Sequence, residues 1–182
     1  MKKYFLSAAI IPFVLCSCNN TSTNNKNTVI KGQEVTTQNA GGLTGATIKN
    51  NIELEAQNVK ISQAYLMTED RNIKPNNNAN VNEKVIMTLE TDTGWVKIDN
   101  KSFIGVSERV TDSKGNIVLD ADDLFKNYET DGLPADIAKI LNVSAVITKK
   151  NSDGNNDFDV SFKIWDRKGP GVVKGKYKLH IN

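Results

Sequence analysis

Residues 51–182 predict an antiparallel β-sandwich, and three observations carry that prediction. Short runs alternate apolar and polar side chains with period two. Gly, Asn and Asp clusters interrupt these runs roughly every ten residues. Only two brief segments carry helix signals, too few for an α/β fold.

Ile52, Leu54 and Ala56, continued by Val59, Ile61 and Met67, read as one long strand with a bulge near Gln57 and Asn58. Lys74 to Asn80 is a polar loop. Val85, Met87 and Leu89 fall on one side of a strand whose other side carries Lys84, Thr88 and Glu90. A turn at Thr91 to Gly94 leads into a short strand, Trp95 to Ile98. Phe103 to Val110 and Ile117 to Leu119 form a hairpin around Asp112 to Asn116. Helix signals follow. Asp120, Asp122 and Asp123 supply acidic groups for the first turn of a helix carrying Leu124, Phe125 and Tyr128, and Pro134 suits the first turn of a second, Ala135 to Leu141. These short helices would cross between the sheets.

Val143 to Thr148 is again a strand, followed by a turn at Asn151 to Asn156. Phe158, Val160, Phe162 and Ile164 then alternate without a fault with Asp159, Ser161 and Lys163. Beyond the Asp166 to Gly171 turn, Val173, Tyr177, Leu179 and Ile181 alternate with Lys174, Lys176, Lys178 and His180. One face of each strand is core and the other is wet. Seven or eight such strands make a sandwich of about the usual strand number, and a closed barrel with a ligand cavity is the structural alternative.

Residues 19–50 are dominated by Asn, Thr and Gly and cannot bury enough apolar surface to offset their ordering entropy. They read as a flexible tether of roughly 30 Å mean span; the alternative is that residues 29–35 add a strand to the domain. Before the tether, Lys2 and Lys3 precede an apolar run from Tyr4 to Leu15. That run is shorter than the roughly 20 residues a spanning helix needs and fits a signal peptide. It ends in Leu15-Cys16-Ser17-Cys18, which resembles the lipobox of bacterial lipoproteins. The resemblance implies cleavage before Cys18 and a lipid on its thiol, with Cys16 as a second choice because it would place bulky Leu15 at the cleavage position. Each buried methylene of such a lipid contributes about 0.8 kcal/mol, so a multiply acylated Cys18 is a durable membrane anchor. Asn19, not Asp, follows Cys18, which by resemblance to the sorting rule of enterobacterial lipoproteins permits export to the outer membrane. The expected organisation is therefore a signal peptide over 1–17, lipidated cysteine and tether over 18–50, and a sandwich over 51–182. The strand layout itself resembles the immunoglobulin-like modules of bacterial lipoproteins.

Of 23 Lys and Arg, two lie in the signal, whereas all 21 Asp and Glu lie beyond it. The near-neutral mature chain lacks the basic excess that draws in phosphates, which argues against a nucleic-acid partner. Both cysteines lie in the signal region, so the domain has neither a disulfide nor a thiolate nucleophile.

Four groups of side chains are candidates for chemistry. Asp153, Asn155 and Asp157 offer oxygens at every second position, a spacing by which a loop wraps Ca²⁺, although the EF-hand pattern is broken by Phe158 and Ile164. Asp120, Asp122 and Asp123 are the clustered carboxylates that glycoside hydrolysis would require; they equally suit a helix start. Lys174, Lys176, Lys178 and His180 line one face of the last strand, where they either meet an anionic partner or guard an edge. Trp95 and Trp165 are candidate stacking platforms for sugars, Trp165 because alternation puts it on the wet face. With no catalytic motif in the chain, the expected function is a lipid-anchored envelope module that binds an envelope protein or a glycan. A glycan hydrolase is the alternative, and a carrier of a small apolar ligand the third reading.

Overall fold

The faultless alternation of the last two long strands suits the centre of the larger of the two main sheets, where both lie. The computed structural model describes residues 41–151 and 154–182. Twelve strands run in the order β1 (Thr47–Ile48), β2 (Glu53–Gln57), β3 (Lys60–Met67), β4 (Asn78–Ala79), β5 (Lys84–Thr93), β6 (Lys101–Ser102), β7 (Ile104–Asp112), β8 (Ile117–Ala121), β9 (Leu133–Pro134), β10 (Ile140–Val146), β11 (Asp157–Asp166) and β12 (Val172–Ile181). One sheet has the order β2-β12-β11-β7-β8, with β4 added in parallel to the end of β12; the other has the order β1-β3-β5-β10. The long pairings are antiparallel, and the molecule is a β-sandwich.

Leu54, Phe158, Val160, Ile164, Val173 and Leu179 of the six-stranded sheet form one buried cluster with Ile61, Leu66, Val85, Met87, Leu89, Leu141 and Val143 of the four-stranded sheet. Close approach is needed in one place: a Cβ on Gly175 would lie 2.2 Å from the Phe162 ring, so the inner face of β12 leaves out a side chain where β11 contributes a large one.

The short strand expected over Trp95 to Ile98 is a bend with one isolated bridge at Ile98, and three larger expectations change. The long strand expected from Ile52 to Met67 is two strands in different sheets, because Asn58 takes a left-handed conformation (φ 56°) and carries the chain from β2 to β3. The irregularity lies instead within β3, at Lys60/Ile61 and Ile61/Gln63. The two crossover helices are single 3-10 turns, Lys126–Tyr128 and Ile137–Lys139. Asp120 is taken by β8, and the Asp123 carboxylate accepts the Phe125 N–H at 3.1 Å, closing a tight turn in place of a helix cap. Pro134 pairs with Lys101 in a two-residue ladder, and Ile140 and Leu141 belong to β10. Finally, the domain reaches into the stretch read as tether: Leu43, Ala46 and Ile48 are buried in the core, and β1 pairs in parallel with β3. Residues 29–35 and Cys18 lie outside the described residues.

Candidate binding face of the six-stranded sheet

Because Phe162, Ile164, Val173 and Tyr177 point inward, the side chains between them form the outer face of the sheet, and strand register arranges them in rows. One row crosses from Glu53 through Lys176 and Ser161 to Arg109 and Asp120. The neighbouring row crosses from Glu55 through Lys174 and Lys163 to Ser107. Beyond it lie Gln57, Val172, Trp165 and Gly105. The first two rows, with Asp122 at the β8 rim, line a groove of about 540 Å³.

The two rows differ in chemistry. In the first, Lys176 meets Glu53 at 3.2 Å and Arg109 forms a two-pronged pair with Asp120 at 3.1 and 2.8 Å. Those groups satisfy one another. In the second, the side chains of Glu55, Ser107 and Lys174 have no hydrogen-bond or ion-pair partner among the described residues, and Lys163 only leans over Trp165, 5.5 Å from the ring centroid. They are free to bond to a ligand.

Trp165 stands on the outer face, as alternation implies, and is half-buried. Its indole lies across Gly105: a Cβ there would fall 2.2 Å from Cε2. The Arg167 guanidinium approaches the ring at 5.5 Å. Trp95 is not a platform. It is 8 % exposed, packs into the core against Gly171, and has an indole N–H without a partner. Its position after the Gly94 turn turns it inward, where no alternating run exists to signal the direction.

A second and larger groove, about 780 Å³, lies past the other end of the same face. It collects Lys178, His180, Asp157 and Asp159 with Asn50, Asn76 and Asn77 from loops that the sequence leaves unassigned. Here both acids have a partner: His180 Nδ1 lies 2.7 Å from Asp157 and Lys178 Nζ 2.6 Å from Asp159. Asn50 and Asn77 are likewise committed to backbone groups, Asn50 to Lys74 and Leu66, Asn77 to Asn50 and Lys178. The groove is roomier but offers fewer free donors and acceptors than the row through Lys163.

Of the calcium candidates, Asp157 faces His180, Asn155 Oδ1 accepts the Asp157 N–H at 3.1 Å, and Asp153 lies outside the described residues. Among the described residues no cluster of three or more His, Cys, Asp or Glu side chains forms. The carboxylates at 120–123 separate: Asp120 pairs with Arg109, Asp123 is bound by Arg167, and Asp122 is exposed. Glu55 and Asp122 are at opposite sides of the sheet, four strand spacings or about 19 Å apart, far beyond the roughly 5–9.5 Å between the two acids of a glycosidase.

One acidic residue was passed over by the sequence reading. Glu108 sits on the inner face between Val106 and Val110, 2 % exposed, and neither oxygen has a hydrogen-bond partner among the described residues. Burial pushes its carboxyl up to about 7. Parity along β7 was the signal: the strand that buries Val106 and Val110 must bury the residue between them on that face.

No protein-family profile matches the chain, and no curated protein matches it. Among solved structures the chain is similar to one described as the crystal structure of the C-terminal domain of Wzt, with a TM-score of 0.43 and 10 % identity over 74 % of this chain and 80 % of that one.

Proposed function

We propose that the chain is a lipid-anchored module of the cell envelope that binds a polysaccharide across the outer face of its six-stranded sheet without acting on it chemically. The observation that carries the reading is the row Glu55-Lys174-Lys163-Ser107, a set of uncommitted acceptors and donors in a groove beside the half-exposed Trp165. Sugar recognition asks for that combination: an aromatic face for the apolar side of a pyranose ring and charged or hydroxyl groups for its hydroxyls. A carboxylate accepts from a sugar hydroxyl and a lysine donates to one, so mixed charge is an asset on such a face. The two free carboxylates of the outer face, Glu55 and Asp122, are too far apart to act as a hydrolytic pair, and Glu108 points inward, which favours binding over hydrolysis. The apolar start and the lipobox-like Leu15-Cys16-Ser17-Cys18 support an envelope location for this face.

Affinity electrophoresis in gels containing soluble polysaccharides tests the binding. Retardation that is lost in Trp165→Ala, with unchanged thermal unfolding, is the expected result; unretarded migration in every polymer defeats the reading. Incorporation of labelled palmitate that disappears in Cys18→Ala tests the anchor separately.

A further inference from the structure

On the outer face of β11 and β12 every cross-strand pair but one is chemically complementary. Asp157 meets His180, Asp159 meets Lys178, and Ser161 stands opposite Lys176. The exception is Lys163, which stands directly opposite Lys174. Like charges in that relation destabilise the pairing, because the two Cβ atoms of an antiparallel pair are only about 4.5–5.5 Å apart. Among the described residues neither lysine forms an ion pair, and Lys163 only leans over the Trp165 ring. Glu55 is the register partner of Lys174 on the β2 side but forms no ion pair with it, and Ser107 flanks Lys163 on the β7 side. Both lysines are exposed and line the groove, and the Lys163 ammonium lies over the Trp165 ring at the groove's side.

We infer that Lys163 and Lys174 form an anion subsite that selects acidic polysaccharides, receiving a sugar carboxylate between them while a neighbouring ring stacks beside Trp165. The inference rests on the polysaccharide reading of this face and adds the class of ligand. A carboxylate placed between two ammonium groups gains a charge-assisted hydrogen bond from each and relieves their repulsion. An anionic bilayer fits worse: Glu55, Asp122 and the Glu53 and Asp120 ends of the next row would meet its headgroups with like charge. A glycan offers hydroxyl hydrogens to those same carboxylates.

The test compares polygalacturonate with its fully methyl-esterified form, which keeps the rings and removes the charge, by titration calorimetry on the folded protein. Polygalacturonate is expected to bind about tenfold or more tightly than the ester, the worth of one or two charge-assisted hydrogen bonds. In the Lys163→Gln, Lys174→Gln double variant that margin disappears, whatever is lost in common from the binding of both polymers. Trp165→Ala weakens both. The double variant unfolds at the same urea concentration as the parent or a higher one, since it loses a repulsive pair. Equal binding of both polymers by the parent protein overturns the anion subsite and leaves the polysaccharide face standing. Binding of neither overturns the anion subsite, and unretarded migration in every polymer of the gel assay overturns the polysaccharide face as well. Lysine-dependent binding to phosphatidylglycerol vesicles without polymer binding assigns the pair to a membrane and overturns it as well.

Discussion

Arg167, in the turn after β11, holds Asp123, 44 positions earlier in the chain, with both side chains largely buried (13 and 15 % exposed). Asp123 also accepts the Val106 and Phe125 N–H groups, and the Arg167 backbone N–H donates to the Phe103 carbonyl at 2.8 Å. This one pair therefore ties the start of β7, the segment after β8 and the β11–β12 turn, and it holds the Arg167 side chain against the Trp165 ring. Burial raises the Asp123 carboxyl, but Arg167 and the two N–H groups together outweigh it and hold the group below the usual aspartate range.

Arg167→Met is expected to cost about 3–5 kcal/mol at neutral pH, because it strands a buried carboxylate. Adding Asp123→Leu should return most of that loss, since an apolar pair of similar volume is often neutral. Urea unfolding of the single and double variants checks both. The sign of the pH effect follows from the depressed carboxyl: the contribution is complete above the unfolded aspartate value of about 3.9 and is lost as pH falls through the lower folded value. Loss of parent-protein stability in that acid range, absent from the double variant, is the expected signature.

Glu108 gives the opposite slope. Its folded value of about 7 lies above the ordinary 4.5, so between these values the folded chain holds a proton that the unfolded chain has released. Stability due to this group is highest below about pH 4.5 and falls as pH rises to about 7, by about 3 kcal/mol in all. Glu108→Gln should abolish that decline and raise stability above neutrality. The buried Tyr177 hydroxyl, also without a partner, is raised by its own burial and then by the Glu108 charge. Tyr177→Phe is accordingly expected to be neutral or stabilising by about 1 kcal/mol. Urea midpoints across the pH range decide: a flat profile for the parent protein defeats the assignment.

Much of the sandwich was legible in the sequence because its central strands alternate cleanly. Phe158 to Ile164 and Val173 to Ile181 give both the strands and the faces, and Trp165 follows from the same parity. What failed did so for local reasons. The acids at 120–123 carry a helix-start composition, yet Asp120 is worth more to Arg109 in a strand and Asp123 to Arg167 in a turn. Asn58 breaks a continuous alternating pattern at one left-handed residue, which reads as a bulge until the sheets are known. The Lys163–Lys174 pair was beyond reach for a different reason. It depends on the register of two strands across a turn, and a shift of one residue would have paired Lys163 with an inward-facing side chain.

Gly105 and Trp165 are cross-strand partners, and the missing side chain of one makes the bed for the other. Gly105→Ala would place a methyl about where the indole lies, so the ring must lift from the sheet. The overpacking is expected to cost about 1–3 kcal/mol. The displaced indole, more exposed than before, should shift its fluorescence to longer wavelength and weaken polysaccharide retention as Trp165→Ala does. An unchanged emission spectrum, with Trp165→Phe used to subtract the Trp95 contribution, would show that the ring does not rest on Gly105.

The two outer strands of the six-stranded sheet are protected unequally. β2 carries Glu53 and Glu55 on its outer side, charges that repel a second copy. β8 instead exposes three consecutive branched side chains, Ile117, Val118 and Leu119, at 58, 46 and 41 %. Asp120, which follows the triplet, is paired with Arg109. An edge strand of this kind presents unpaired backbone groups flanked by apolar surface, which is a template for another strand. Self-association that rises with protein concentration is therefore expected, and Val118→Lys should suppress it while changing stability by no more than about 0.5 kcal/mol. Sedimentation velocity over a wide concentration range measures the effect. If the parent protein stays monomeric throughout and the lysine variant behaves identically, the β8 edge is covered or otherwise protected, and the exposed triplet has no part in association.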